Sequence, residues 1–124
     1  MRVVCVKFLD PVTGEERAED SWLKLDREYP VLSIDVEADR RVWLRIESEE
    51  AGTPALFDAE MFLTTSTALP SNWRVRVGEG GSLELAPEAW LRAGFWEDFF
   101  DRVPEAMEAY EKERAATLAE VGGA

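Results

Sequence analysis

The residues of this chain that could carry chemistry are carboxylates, and they fall into two dense groups. The first group alternates along a predicted strand and consists of Asp35, Glu37 and Asp39. The second group forms an acidic segment near the N-terminus and consists of Glu15, Glu16, Glu19 and Asp20. Every second side chain of a β-strand points to the same face, about 7 Å apart. The first group could therefore receive a metal cation or a row of lysine and arginine side chains.

The residue types that enzymes most often use for nucleophilic catalysis are missing. The sequence contains no histidine and a single cysteine, Cys5, so it cannot form a Ser-His-Asp site, a Cys-His site or a cysteine–histidine zinc site. No glycine-containing calcium loop surrounds the alternating carboxylates. A glycosidase needs two carboxylates across a sugar-binding cleft, and carboxylate pairs alone are too common to indicate one. We therefore expect no enzymatic activity, no cofactor and no metal.

The overall composition is that of one soluble, globular domain spanning residues 1–124. Hydrophobic residues make up 46% of the chain and charged residues 32%, which separates it from disordered sequences. The 26 acidic and 14 basic residues give a formal net charge of −12. This charge disfavours direct binding to nucleic acid. It is explained either by solubility alone or by attraction of a basic protein partner.

Neither a membrane segment nor a disulfide framework is indicated. The N-terminal apolar run is broken at Lys7, far short of the roughly 20 apolar residues that a membrane span needs. Cys5 stands alone, which is typical of a reducing compartment. We therefore predict a cytoplasmic protein without membrane contact, present as a monomer or a small homo-oligomer.

The hydrophobic periodicity changes near Pro87 from two residues to three or four. It predicts a β-rich part, residues 1–86, followed by a helical part, residues 87–121. The β-rich part is expected to form an antiparallel β-barrel or curled sheet, with two or three C-terminal helices packed on it. The predicted fold class is therefore α+β.

Alternating apolar residues and turn signals locate the individual strands. Val4, Val6 and Phe8 are predicted to share one face of the first strand, and Cys5 is predicted to be a buried or half-buried, inert thiol. Hairpins are predicted from residues 29–37 with 42–48 and from residues 73–77 with 83–85, the second closed by glycines that supply positive φ angles.

Prolines and glycines locate the helix ends. Pro87 suits the first turn of one helix, and Gly94 can end it. Residues 95–103 form a second helix with an aromatic face, which should pack on the sheet. Pro104 begins a third helix, which Gly122 and Gly123 end.

The five tryptophans divide into core residues and candidates for exposure. Trp73, Trp90 and Trp96 are predicted to lie in the core. Trp43 lies on the polar face of its strand, where it is either covered by the helices or exposed to a partner. Trp22 follows the acidic segment, and tryptophan is enriched among binding hot spots, so Trp22 is predicted to be an exposed anchor.

Residues 25–34, 42–46 and 52–62 together resemble a small SH3-like β-barrel. The likeness covers about residues 22–65 and consists of an entry strand with Tyr29 and Val31, a hairpin, and a short helical turn before the closing strand. Asp58 is expected to cap that turn. The aromatic C-terminal helices are a departure from a bare SH3-like barrel.

In size, charge and architecture the chain is also similar to small acidic bacterial immunity proteins of polymorphic and contact-dependent toxin systems. This resemblance implies a toxin-neutralising protein that occludes a basic toxin surface, such as that of a nuclease. The alternative is an SH3-like structural or interaction module of housekeeping or phage origin, without a toxin partner. The residues predicted to bind the partner are Glu15, Glu16, Glu19, Asp20, Trp22, Asp35, Glu37 and Asp39.

Overall fold

A computed structural model describes residues 1–49 and 53–120 of the chain. The predicted turn glycine at position 52 and the predicted helix-ending glycines at 122 and 123 lie outside these residues. The strands are β1 (Arg2–Cys5), β2 (Phe8–Leu9), β3 (Glu16–Arg17), β4 (Glu28–Pro30), β5 (Ser33–Val36), β6 (Val42–Glu47), β7 (Pro54–Asp58), β8 (Phe62–Ser66), β9 (Trp73–Val77) and β10 (Leu83–Pro87). The helices are α1 (Phe95–Phe100) and α2 (Pro104–Glu120).

The strands form antiparallel sheets, and the largest has five strands in the order β7-β6-β5-β10-β9. A three-stranded sheet has the order β4-β1-β8, and β2 pairs with β3. The two predicted hairpins are present as β5–β6 and β9–β10. Gly80 and Gly81 have φ angles of 66° and 84° in the second hairpin, where a side chain would strain the backbone. The α+β class is thus confirmed.

The predicted closure into a barrel is wrong for the described residues, because the sheets remain separate. The predicted strand 29–37 is interrupted at Val31 and Leu32, which are both buried. Before this interruption β4 pairs with β1, and after it β5 pairs with β6. The chain therefore passes from the smaller sheet to the larger one, and β7 and β9 remain edge strands of the larger sheet.

The predicted first strand, in which Val4, Val6 and Phe8 share one face, is also wrong, because β1 ends at Cys5. The predicted burial of Cys5 is confirmed, whereas Val6 is 39% exposed. The strand ends at Cys5, and the amides of Val6 and Lys7 both donate to the carbonyl of Met61. This interruption breaks the two-residue period on which the prediction rested.

The five-stranded sheet is covered on both faces, and each face has its own core. On β6, Leu44 and Ile46 join the core shared with the three-stranded sheet. On the opposite face, Trp90 and Tyr110 belong to the core beneath the helices. Pro87 ends β10 and is followed by a single 3-10 turn, so the helical part begins with less helix than predicted. Helix α2 begins at Pro104, as predicted.

None of the helices in the described residues combines the length and apolar character that crossing a membrane requires.

Candidate functional site

The candidate binding site is a cleft at the edge formed by β7, which we call the Trp22 cleft. Its volume is about 220 Å³. Its walls come from segments that are distant in sequence, because β2 and the 3-10 turn after β7 meet there. The apolar lining residues are Leu9, Pro11, Trp22, Trp43, Ala55, Leu56, Phe57 and Met61, and the charged ones are Arg17, Asp20 and Asp58.

Trp22 is held by its backbone while its ring remains accessible. Its amide donates to Asp20 Oδ1 at 2.6 Å, and its carbonyl accepts from the amide of Glu49 at 2.9 Å. The side chain is 44% exposed and packs edge-to-face against Phe57, with 6.4 Å between ring centroids. A pre-positioned, half-exposed indole loses little conformational entropy on binding, which suits it to be an anchor.

Trp43 belongs to β6, lies on the opposite face of the sheet from Trp22, and is partly buried. The Arg41 guanidinium lies 4.6 Å from the centroid of its ring, and Arg41 also pairs with Asp58 at 3.3 Å. The sequence left open whether the helices cover Trp43. In the structure it lines the Trp22 cleft, and β6–β7 pairing places it directly opposite Asp58.

The acidic segment lies beside this cleft. Between residues 10 and 20 there are five carboxylates and one base, Arg17, which pairs with Asp20 at 3.4 Å. Glu15, Glu16 and Glu19 are exposed. Glu19 and Asp20 line a hollow that shares Trp22 with the cleft. The structure thus brings Glu19, Asp20 and Trp22 together, and Glu16 lies opposite Leu9 of the cleft.

The other predicted group is separated by the fold. β5 ends at Val36, so only Asp35 of the three carboxylates lies on a strand. Glu37 and Asp39 belong to the exposed hairpin turn, where Asp39 Oδ1 accepts from the amide of Arg41 at 2.9 Å. Asp39 lines a hollow that adjoins the Trp22 cleft at Asp58. The predicted row of three carboxylates on one strand face is therefore wrong.

Asp35 instead lies on the helix-covered face of the five-stranded sheet, paired with Trp43 on one side and Glu84 on the other. Burial raises the pKa of Asp35, and Glu84 adds to this effect by repulsion. Arg45 and Arg76 attract the carboxylate and oppose the rise. Burial is the largest of these causes.

This pKa shift predicts that the difference in stability between wild type and the Asp35→Asn variant depends on pH. Because the folded-state pKa of Asp35 exceeds its unfolded value, ionisation opposes folding at pH values above the folded pKa, and this penalty disappears as the pH falls below the ordinary carboxyl range. We expect wild type to gain stability relative to Asp35→Asn as the pH is lowered through the acidic range. Urea unfolding of both proteins at several pH values measures this. A difference that moves in the opposite direction would contradict the assignment.

Arg45 was not singled out from the sequence, although it organises the interior. It is only 6% exposed, and its guanidinium lies 3.7 Å from the ring centroid of Trp96 on α1. Its Nη1 donates to the carbonyl of Pro54 at 2.7 Å. Burial lowers its pKa to about 10, so it stays charged at neutral pH. The signal that could have revealed it is the alternation of Trp43, Arg45 and Glu47 on a strand that is covered on both faces.

The helices carry a second acidic surface. Its exposed carboxylates are Glu97, Asp101, Glu105, Glu108 and Glu111. Phe100 and Met107 are 51% and 37% exposed. This surface provides a comparison for tests of the Trp22 cleft.

Within residues 1–49 and 53–120, no three acidic or cysteine side chains converge as ligands of a metal ion would. Cys5 is buried, and burial raises the pKa of its thiol, which keeps it protonated at neutral pH.

No protein-family model matches the sequence, and no curated protein or solved structure is detectably similar to it.

Proposed function

We propose that this protein is a non-enzymatic binding protein that occludes a basic surface of a partner protein. A toxin-neutralising immunity protein, acting on a basic toxin such as a nuclease, is the most concrete form of this proposal. The observation that carries it is the half-exposed Trp22 ring in a cleft lined by Asp20 and Asp58, next to the exposed glutamates of the acidic segment. The aromatic anchor supplies affinity, and the surrounding acids supply specificity for a basic surface.

Electrostatics gives this arrangement a kinetic advantage. A net charge of −12 attracts a cationic protein over a distance of about one Debye length, roughly 8 Å at physiological salt. Nuclease active sites are cationic because they hold phosphates. An anionic inhibitor would be steered to such a site and would associate fastest at low salt.

The acidic segment is expected to control the association rate. Replacing Glu15, Glu16 and Glu19 with glutamine in one variant should lower the on-rate for the basic partner by about tenfold at low salt, and the product of the neighbouring gene is the first protein to test as that partner. Stopped-flow or surface-based binding kinetics at several salt concentrations measures this. The difference from wild type should shrink as salt is raised.

A matched control neutralises the same number of carboxylates on α2, as Glu105→Gln, Glu108→Gln and Glu111→Gln. Both triple variants change the net charge equally, so only the position of the charges differs. Equal on-rates for the two variants, an on-rate insensitive to salt, or no complex with wild type would contradict the proposal.

The alternative function is an SH3-like structural or interaction module without a toxin partner, based on the resemblance over residues 22–65. One observation favours it: Val75 and Val77 on edge strand β9 are 57% and 72% exposed. Exposed apolar edges promote self-association. Analytical ultracentrifugation separates the two functions, because only the alternative requires a concentration-dependent oligomer.

A further inference from the structure

The register of β7 determines which of its backbone groups face outward. The amide of Ser48 donates to the carbonyl of Thr53 at 2.9 Å, and the same register pairs Glu47 with Pro54 and Arg45 with Leu56. Hydrogen-bonded and non-hydrogen-bonded pairs alternate in an antiparallel ladder. Residues 53, 55 and 57 therefore bond to β6, whereas residues 54, 56 and 58 direct their backbone groups away from the sheet.

This edge is closed at one end and open in the middle. Pro54 has no amide hydrogen, and its carbonyl accepts from the buried Arg45. At the other end, Asp58 begins the 3-10 turn by accepting from the amide of Glu60 at 2.9 Å. Between them, Leu56 directs its amide and its carbonyl outward, and no strand in residues 1–49 or 53–120 pairs with this edge.

The two faces of β7 offer different chemistry to an added strand. Ala55 and Phe57 share the face on which Trp22 packs. Leu56 and Asp58 share the opposite face, where Trp43 lies across the sheet. A strand paired with β7 would direct alternate side chains to these two faces.

We infer that an extended segment of the basic partner adds to β7 as a further strand. Its backbone bonds to the amide and carbonyl of Leu56. Its apolar side chains pack on Trp22 and Phe57, and its lysines or arginines face Asp58, where they replace Arg41 as the partner of the carboxylate. The inference rests on the proposed function and names the recognition mode, which is strand addition to a free sheet edge.

The other edge of the sheet does not fit such a segment. The amide of Gly78 donates to the carbonyl of Ser82, so the same alternation directs the backbone groups of Val75 and Val77 outward. The neighbouring side chains on β9 are Arg74 and Arg76. Glu84 pairs with Arg76, whereas Arg74 adds a positive charge that disfavours a cationic strand. β9 therefore supplies a matched control for substitutions on β7.

A suitable probe is an end-blocked seven-residue peptide in which lysine alternates with valine. We expect it to bind the wild-type protein and to slow hydrogen exchange of the Leu56 amide, measured by NMR. Leu56→Pro removes the outward amide hydrogen together with the leucine side chain and should lower the peptide affinity about tenfold or more. Leu56→Ala removes the side chain but keeps that amide, so it should lose clearly less affinity than Leu56→Pro. Val75→Pro, on the other edge, should stay within about threefold of wild type.

A second measurement does not depend on the folding of a proline variant. The same peptide N-methylated at every residue can donate no backbone hydrogen bond from either of its edges, and it should lose binding to the wild-type protein. No binding of the original peptide, wild-type affinity of Leu56→Pro, or an equal loss in Val75→Pro would overturn strand addition.

The inference and the proposed function fail in distinguishable ways. If Leu56→Pro binds the full cationic partner as wild type does, while Trp22→Ala does not, strand addition is wrong and the proposed function stands. If wild type does not bind that partner at all, the proposed function itself fails, whatever the peptide does.

Discussion

Replacing Trp90 with alanine is expected to lower the free energy of unfolding by about 3–5 kcal/mol. Trp90 is only 1% exposed and is the centre of the aromatic core beneath the helices. Its ring centroid lies 5.2 Å from that of Tyr110 and 5.5 Å from that of Trp96. The substitution would leave a cavity between the five-stranded sheet and both helices, which the surrounding rings cannot fill without leaving their favoured contacts. Urea unfolding monitored by circular dichroism measures the change.

Phe100→Ala is the matched control for this prediction. Phe100 belongs to the same aromatic group, with its ring 6.1 Å from that of Trp96, but its side chain is 51% exposed. Its truncation should cost about 1 kcal/mol or less, because the side chain buries less surface on folding. A loss below about 1 kcal/mol for Trp90→Ala would show that the helices are not attached through this core.

Local signals in the sequence were sufficient for the hairpins and for α2. The β9–β10 hairpin follows from strict alternation on both sides of a glycine-rich turn, and Pro104 fixes the first turn of α2. Each of these features depends on residues close together in the chain. Such contacts form with little loss of loop-closure entropy, which is why propensity and periodicity describe them well.

Sheet membership could not be predicted because it depends on distant pairings. β1 lies between β4 and β8, about 25 and 60 residues further along the chain. Residues 29–37 have a continuous strand pattern, yet two buried residues divide them between sheets. Since both sheets bury apolar residues at this point, periodicity alone does not reveal the division.

The candidate site was predictable only where its residues lie close together in the sequence. Trp22 and the acidic segment adjoin in sequence, so composition alone suggested them. Leu56 and Phe57 reach the Trp22 cleft through the pairing of β7 with β6, which the sequence did not specify. The alternating carboxylates gave a misleading signal, because the strand that carries Asp35 ends before Glu37.

Replacing Trp22 with alanine is expected to weaken binding of the basic partner by about 30-fold, which corresponds to about 2 kcal/mol. The indole is the largest exposed aromatic surface of the cleft, and its loss would leave a partner side chain without its apolar contact. The fold should be little affected, because the ring is 44% exposed. A thermal unfolding curve close to that of wild type checks this.

The claim that the Trp22 cleft is the binding surface is tested most directly by the dissociation constants of Trp22→Ala and Phe100→Ala for that partner. Both variants remove one half-exposed aromatic ring, but from opposite faces of the five-stranded sheet. We predict an affinity about 30-fold below wild type for Trp22→Ala and within about threefold of wild type for Phe100→Ala. Unchanged affinity for Trp22→Ala, or a larger loss for Phe100→Ala, would contradict this account and place the interface on the helices.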